Sequence, residues 1–240
     1  MSCQKAFHLL FALSICSGCG SADDPVTEEP ADDAGILSDA MSPVSDAAFD
    51  AAVDAGQGTL KGTAALTYYY VASQSDYSGA NDTVLCDAQA KPLATVPRAF
   101  ADALAIEGTG RLTDGRLLNI AASCSCVSGM RTCYAVLDPV KYPFGQGVGG
   151  RALKPYRSIA VDKSFIPYGT RVYVPALSGV QMPGSYGFVH DGCLSADDTG
   201  GAIIGAHIDW FVAEKANYRT LDAKLRLSSV AVYTNAPQCP

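Results

Sequence analysis

From Leu66 to Tyr233 the chain repeats one pattern, a short run rich in β-branched and aromatic residues followed by Gly, Pro or Asp. The runs at residues 66–71, 117–121, 134–137, 159–161, 171–175, 186–190, 208–212 and 228–233 read as strands. Turn chemistry separates them, at Asp114-Gly115, Pro167-Tyr168-Gly169 and Pro183-Gly184. Only residues 98–105 read as a firm helix, with a weaker helical stretch at 213–217. Strands this short and this close bury their apolar sides against one another, so the expected class is all-β, a sandwich or barrel with short helices. The run from Gly145 to Gly150 formally matches a dinucleotide fingerprint. No helical pattern opens behind it and Pro155 follows, so it reads as a loop.

The rest of the chain has a different character. Residues 20–57 contain ten Asp or Glu and no Lys or Arg, while residues 58–240 hold 14 acidic and 16 basic side chains. The net charge of -7 therefore belongs to one segment, and it argues against a nucleic-acid partner, which needs an excess of cations. A segment built from Asp, Ala, Pro, Ser and Glu cannot repay its ordering entropy, so residues 19–57 are expected to be a disordered acidic linker, at most helical around residues 47–55. Residues 1–18 carry an address. Lys5 precedes an apolar run from Ala6 to Ile15, too short to span a bilayer but suited to a signal peptide. It ends in Cys16-Ser17-Gly18-Cys19, which resembles a lipobox that leaves Cys19 lipidated. The expected location is the cell envelope, held by that lipid at an outer membrane or cell surface; ordinary secretory cleavage is the alternative. The body, residues 58–240, is expected to be one soluble domain acting as a monomer.

Six cysteines lie in that body: Cys86, Cys124, Cys126, Cys133, Cys193 and Cys239. An even number in an exported domain reads as disulfides. Cys124 and Cys126 are one residue apart and point the same way on a strand, so each needs a different partner. A zinc site on Cys124, Cys126 and Cys133 is the rival, but it lacks paired C-x2-C knuckles.

The chemistry gathers near the C-terminus. There is no G-x-S-x-G elbow, P-loop or H-E-x-x-H, and no cofactor or metal is expected. Asp198 and Asp209 bracket a Gly-rich apolar turn, Thr199-Gly200-Gly201-Ala202. Asp209 also alternates against Ile208, Trp210 and Val212, where an acid either costs stability or performs a task. Asp197 reads instead as a turn brace.

These residues resemble a known family. Val161-Asp162-Lys163-Ser164-Phe165-Ile166-Pro167-Tyr168-Gly169-Thr170, then Asp198-Thr199-Gly200-Gly201-Ala202-Ile203 and Ile208-Asp209-Trp210-Phe211, are similar to the three-aspartate (3D) domain. That family includes muralytic enzymes and the catalytic end of the membrane-bound lytic transglycosylase A group. The resemblance implies a six-stranded double-psi β-barrel acting on peptidoglycan glycan strands. It makes Asp209 the counterpart of the catalytic acid, with Asp162 and Asp198 as the supporting pair. The insert from His190 to Ser195 departs from the pattern and is expected to set Cys193 close to the site.

Cleaving a glycosidic bond needs a carboxylic acid still protonated near neutral pH, and burial plus the charge of Asp198 would raise Asp209 in that direction. A lytic transglycosylase needs one such acid, because the muramyl 6-hydroxyl attacks internally to give a 1,6-anhydro sugar. A hydrolase needs a second carboxylate, and Glu107 is the candidate, its plain alternative being a hydrogen-bond acceptor at the barrel rim. Thr199, Gly200 and Gly201 are expected to contact substrate. Tyr68, Tyr69, Tyr70 and Tyr77 read either as sugar-stacking faces or as half-buried core. The remaining readings are an expansin-like polysaccharide binder, a hydrolase of another polysaccharide, and an envelope lipoprotein whose aspartates only brace turns.

Overall fold

The computed structural model describes residues 56–240; the expected signal peptide, Cys19 and nearly all of the acidic linker lie outside the described residues. In chain order the elements are β1 (Thr59–Tyr69), β2 (Ala72–Ser73), β3 (Asn81–Cys86), β4 (Pro92–Pro97), α1 (Arg98–Glu107), β5 (Thr109–Arg111), β6 (Leu117–Ser123) and β7 (Thr132–Val136). There follow β8 (Ser158–Val161), β9 (Arg171–Tyr173), β10 (Cys193–Asp198), β11 (His207–Phe211), α2 (Lys215–Leu225) and β12 (Ser229–Thr234).

Six of these strands close a barrel in the order β1-β11-β8-β10-β9-β12. Two of its pairs, β1 with β11 and β8 with β10, are parallel, and the other four are antiparallel. This is the six-stranded double-psi barrel. Alternation fills it: Ala64 and Leu66 of β1, Ile159 and Val161 of β8, and Ile208 and Trp210 of β11 all point into one core. Trp210 is fully buried there. The intervening residues therefore face out of the barrel wall, and this periodicity positions the site.

After β1 the chain leaves the barrel and builds a second layer before returning at β8. It consists of a four-stranded sheet β2-β5-β6-β7, the hairpin β3-β4, and α1. Helix α1 buries Phe100, Ala101 and Leu104 on one face and stops at Gly108 (φ 79°), whose N–H caps the Leu104 carbonyl. Those residues join Leu85, Val96, Leu118 and Tyr134 in a separate core. Two disulfides staple this small layer, Cys86–Cys126 and Cys124–Cys133, while Cys193–Cys239 ties the chain after β12 to the start of β10. Cys124 and Cys126 do take different partners, and the zinc alternative falls because all three of its cysteines are bridged.

Several expectations need correction. Residues 186–190 are not a strand: Gly187 is left-handed (φ 51°), and the segment is a loop held by Met182 N–H to the Phe188 carbonyl and His190 N–H to the Val180 carbonyl. The strands at 117–121 and 134–137 exist but lie in the second layer, outside the barrel. The weak helix at 213–217 is the start of the longer α2. Strands β2, β3, β4, β5 and β10 were not expected. Among the described residues no helix is long and apolar enough to cross a membrane.

Candidate active site

The register places Asp209 of β11 opposite Ala160 of β8, and Asp198 of β10 opposite the same Ala160. The two acids thus flank one small residue across three neighbouring strands, with Cα atoms about 10 Å apart at ordinary strand spacing. Asp209 faces outward by simple alternation with Ile208 and Trp210. Asp198 needs a bulge: Ala196 points into the core, so regular alternation would turn Asp198 inward too. The register instead skips Asp197 and re-aims Asp198 onto the outer wall. The skipped Asp197 is buried and braced, accepting from the hydroxyls of Ser158 (2.7 Å) and Ser195 (2.8 Å) rather than pinning a backbone turn.

Facing this wall are the end of α1 and the start of the second sheet. Together they enclose a groove of about 390 Å³ lined by Asp198, Asp209, Tyr69 and Glu107. Thr199, Gly200 and Gly201 line it from the loop between β10 and β11, and Gln146, Gly147 and Val148 from the Gly-rich loop. The structure thus brings together Asp198, Asp209, Glu107, Thr199, Gly200 and Gly201. Asp162 does not line the groove. Its Oδ1 accepts from the Ser164 N–H and hydroxyl, and its Oδ2 from the Gly205 N–H at 2.8 Å, so it anchors the far end of the loop that carries Thr199 to Gly201. Those donors, the Gly205 N–H foremost, hold its carboxyl below the usual carboxylate range.

The groove acids behave in the opposite way. Burial pushes Glu107 up to about 7, with the charge of Asp209 adding to it, against the Tyr70 N–H that donates to Oε2 at 2.9 Å. Burial likewise raises Asp198 to about 6, and Asp209 and Asp197 add repulsion, against the Thr199 N–H and the Tyr69 hydroxyl that donates at 3.0 Å. Asp209 is raised by burial and restrained by the Thr67 hydroxyl and by His207. As carboxylates Asp198 and Asp209 repel each other, and that repulsion adds to the rise of Asp198, so the two are electrostatically coupled. Close carboxyls that hold protons in a water-accessible groove suit acid–base work.

Some contributors were not visible in the sequence. Tyr69 meets the site through its hydroxyl, with its ring packed on Phe211. Tyr70 is buried and Tyr68 packs between Trp210 and Tyr218, so neither presents a stacking face to the groove. Asn119 accepts from the Thr109 hydroxyl at 2.6 Å and donates to the Gln146 carbonyl, a polar strip with no motif to announce it. Cys193 is not at the site. It begins β10 while Asp198 ends it, about 16 Å away along an extended strand, and it lines a different cavity of about 660 Å³ beside Arg157 and Arg171. His190 is a satisfied core residue, its Nδ1 accepting from the Gly192 N–H and its Nε2 bonded to the Tyr156 carbonyl.

Residues 157–222, which hold Asp162, Asp198 and Asp209, match the family model of the 3D domain. This segment is a 3D domain. Among solved structures, Escherichia coli MltA with bound chitohexaose superposes on 72% of this chain and 71% of its own, at 15% identity and a TM-score of 0.50. At that identity the likeness is one of fold. Lower-scoring superpositions include LtgG of Burkholderia pseudomallei (18% identity, 72% of each chain, TM-score 0.38). Another is a membrane-bound lytic murein transglycosylase of Agrobacterium tumefaciens (14% identity, 72% of this chain and 73% of that one, TM-score 0.41). No curated protein matches the chain in sequence.

Proposed function

We propose that this chain is a cell-envelope enzyme that cleaves peptidoglycan glycan strands as a lytic transglycosylase, with Asp209 as acid and then base. The observation that carries the reading is the convergence of Asp209, Asp198 and Glu107 on one groove, the latter two with midpoints at about 6 and about 7. A chitohexaose-bound MltA of the same fold supports an extended β-linked glycan as the occupant. In the first step the Asp209 proton passes to the glycosidic oxygen, the C1–O bond breaks toward that oxygen, and an oxocarbenium-like centre forms. The muramyl 6-hydroxyl then attacks C1 and returns its proton to the Asp209 carboxylate, which restores the acid. Asp198 acts on the Asp209 proton through its charge, Thr199 to Gly201 form the rim against the sugar, and Asp162 keeps that rim in place.

Mass analysis of muropeptides released from sacculi tests this. The expected products end in 1,6-anhydro sugars, one water lighter than ordinary reducing ends. Asp209→Asn keeps the side-chain size and should lower the rate by about 10²–10⁴-fold with the fold intact; a drop of two- or threefold refutes the assignment. Glu107 favours one second reading, since it lines the same groove and is raised to about 7. Ordinary reducing ends would make the protein a hydrolase in which Asp209 works with Glu107. Retention of sacculi without any product would make it a binder. For location we propose lipid anchoring at Cys19, checked by whether Cys19→Ala frees the protein from detergent-extracted membranes.

A further inference from the structure

Thr67 lies directly opposite Asp209 in the parallel β1–β11 pair, and Ala65 lies opposite His207. Leu66 and Ile208 point into the barrel, so Thr67, His207 and Asp209 share its outer wall. The Thr67 hydroxyl donates to Asp209 Oδ1 at 2.7 Å, and the same oxygen lies 2.8 Å from His207 Nε2. A hydroxyl has one proton. With that proton committed to an ionised Asp209, the Thr67 oxygen can only accept, and the ring Nε2–H of His207 fills the second contact. Neither Thr67 nor His207 lines the groove, so the chain of contacts reaches Asp209 from the side away from the glycan.

We propose that His207 is a positioning residue for Asp209, acting through Thr67: its ring N–H turns the Thr67 hydroxyl proton toward the carboxylate and sets how readily Asp209 gives up and regains a proton. The role rests on the assignment of Asp209 above. Thr67 is exposed, and its hydroxyl without His207 would rotate and share its proton with water. The charged and titratable groups facing Asp209 come from each neighbouring element: Asp198 from β10, Glu107 from α1, Tyr69 from β1, and His207 from β11 itself. The two carboxyls favour a bound proton, whereas Thr67 and His207 favour its release. An acid that must become a base within one turnover needs both influences.

The test reads Asp209 directly, by carboxyl-carbon NMR titration of the protein, with the resonance assigned by Asp209→Asn. Thr67→Val keeps a strand-forming side chain of similar size and removes the hydroxyl; it should raise the Asp209 midpoint by about one pH unit, roughly tenfold in proton affinity. Thr67→Ser should restore it. His207→Ala should raise the midpoint in the same direction, and His207→Gln, which keeps an N–H near the Nε2 position, should return it close to wild type. In the Thr67→Val background His207→Ala should add little. An unmoved midpoint in Thr67→Val, full additivity in the double variant, or His207→Gln behaving like His207→Ala would each overturn the proposal. The titration does not depend on turnover. Expected shifts in a protein that yields no anhydro products would defeat the transglycosylase reading alone, whereas anhydro products with unmoved midpoints would defeat this inference alone.

Discussion

Ala160 is the pivot of the site because it is the small residue of β8 that Asp198 and Asp209 flank from the strands on either side. Their coupling has a sign that experiment can check. The charge of Asp209 helps raise Asp198 to about 6, and by reciprocity an ionised Asp198 makes Asp209 bind its own proton more tightly. Asp198→Asn removes that repulsion. The basic limb of kcat/KM against pH should move downward by about one unit, so the rate at pH 7 should fall roughly tenfold while the rate at pH 5 changes little. A profile that falls equally at all pH values would mean that Asp198 only shapes the groove. Much of this was legible beforehand, since an acid alternating with Ile208 and Trp210 is visible in the sequence. The Tyr69 hydroxyl and the Thr67–His207 contact were not, because both depend on parallel pairing between β1 and β11, strands about 140 residues apart whose register no local pattern encodes.

Strand β10 and the Gly-rich loop show what the sequence hides at the scale of elements. In β10, Cys193-Leu194-Ser195-Ala196-Asp197-Asp198, only Leu194 and Ala196 are apolar residues turned into the barrel core, and the two-residue alternation fails at Asp198. The bulge at Asp197 breaks the alternation that would have revealed the strand, and the same bulge aims Asp198. Strands β3 and β4 were hidden by Asp82, Pro92 and Pro97 and by partners found only in the second layer. The loop at Gly145 to Gly150 was legible as a loop but not in its task. Gly147 packs so closely that an added Cβ would overlap the carbonyl oxygen of Asp197, on the strand that presents Asp198. Its φ of -91° is ordinary, so the demand is for space and not for a left-handed backbone. Gly147→Ala should therefore push the loop off β10, costing about 1–3 kcal/mol by urea titration, and should lower strand cleavage more than the stability loss explains. Unchanged stability and activity would show that the loop yields freely and does not shape the groove.

The molecule as a whole carries a conflict between its groove and its fold, and pH exposes it. Glu107 joins the two layers: it sits at the end of α1, accepts the Tyr70 N–H where the chain leaves the barrel, and lines the groove. Burial lifts its midpoint to about 7, and lifts Asp198 to about 6. For acids raised on folding, the native state binds more protons than the unfolded chain between the unfolded midpoint and the folded one, so stability falls with rising pH across that window. Their full contribution is present below about pH 4, where unfolded carboxylates also begin to protonate, and it is lost as pH climbs through about 6 and about 7. Asp162 and Asp191, both lowered, run the other way and lose their contribution as the solution turns acid. The described domain should thus be most stable in mildly acidic solution, with a urea midpoint higher at pH 5.5 than at pH 8. Glu107→Gln isolates the main cause, because the amide oxygen can still accept from Tyr70 while no charge is left to bury. It should gain on the order of 2–3 kcal/mol at pH 8 and almost nothing at pH 5. A loss of equal size at both pH values would mean that the carboxylate serves as a hydrogen-bond acceptor that an amide cannot replace. A gain confined to alkaline pH would mean that the fold tolerates a costly buried acid at the joint between its layers, where only the groove has a use for it.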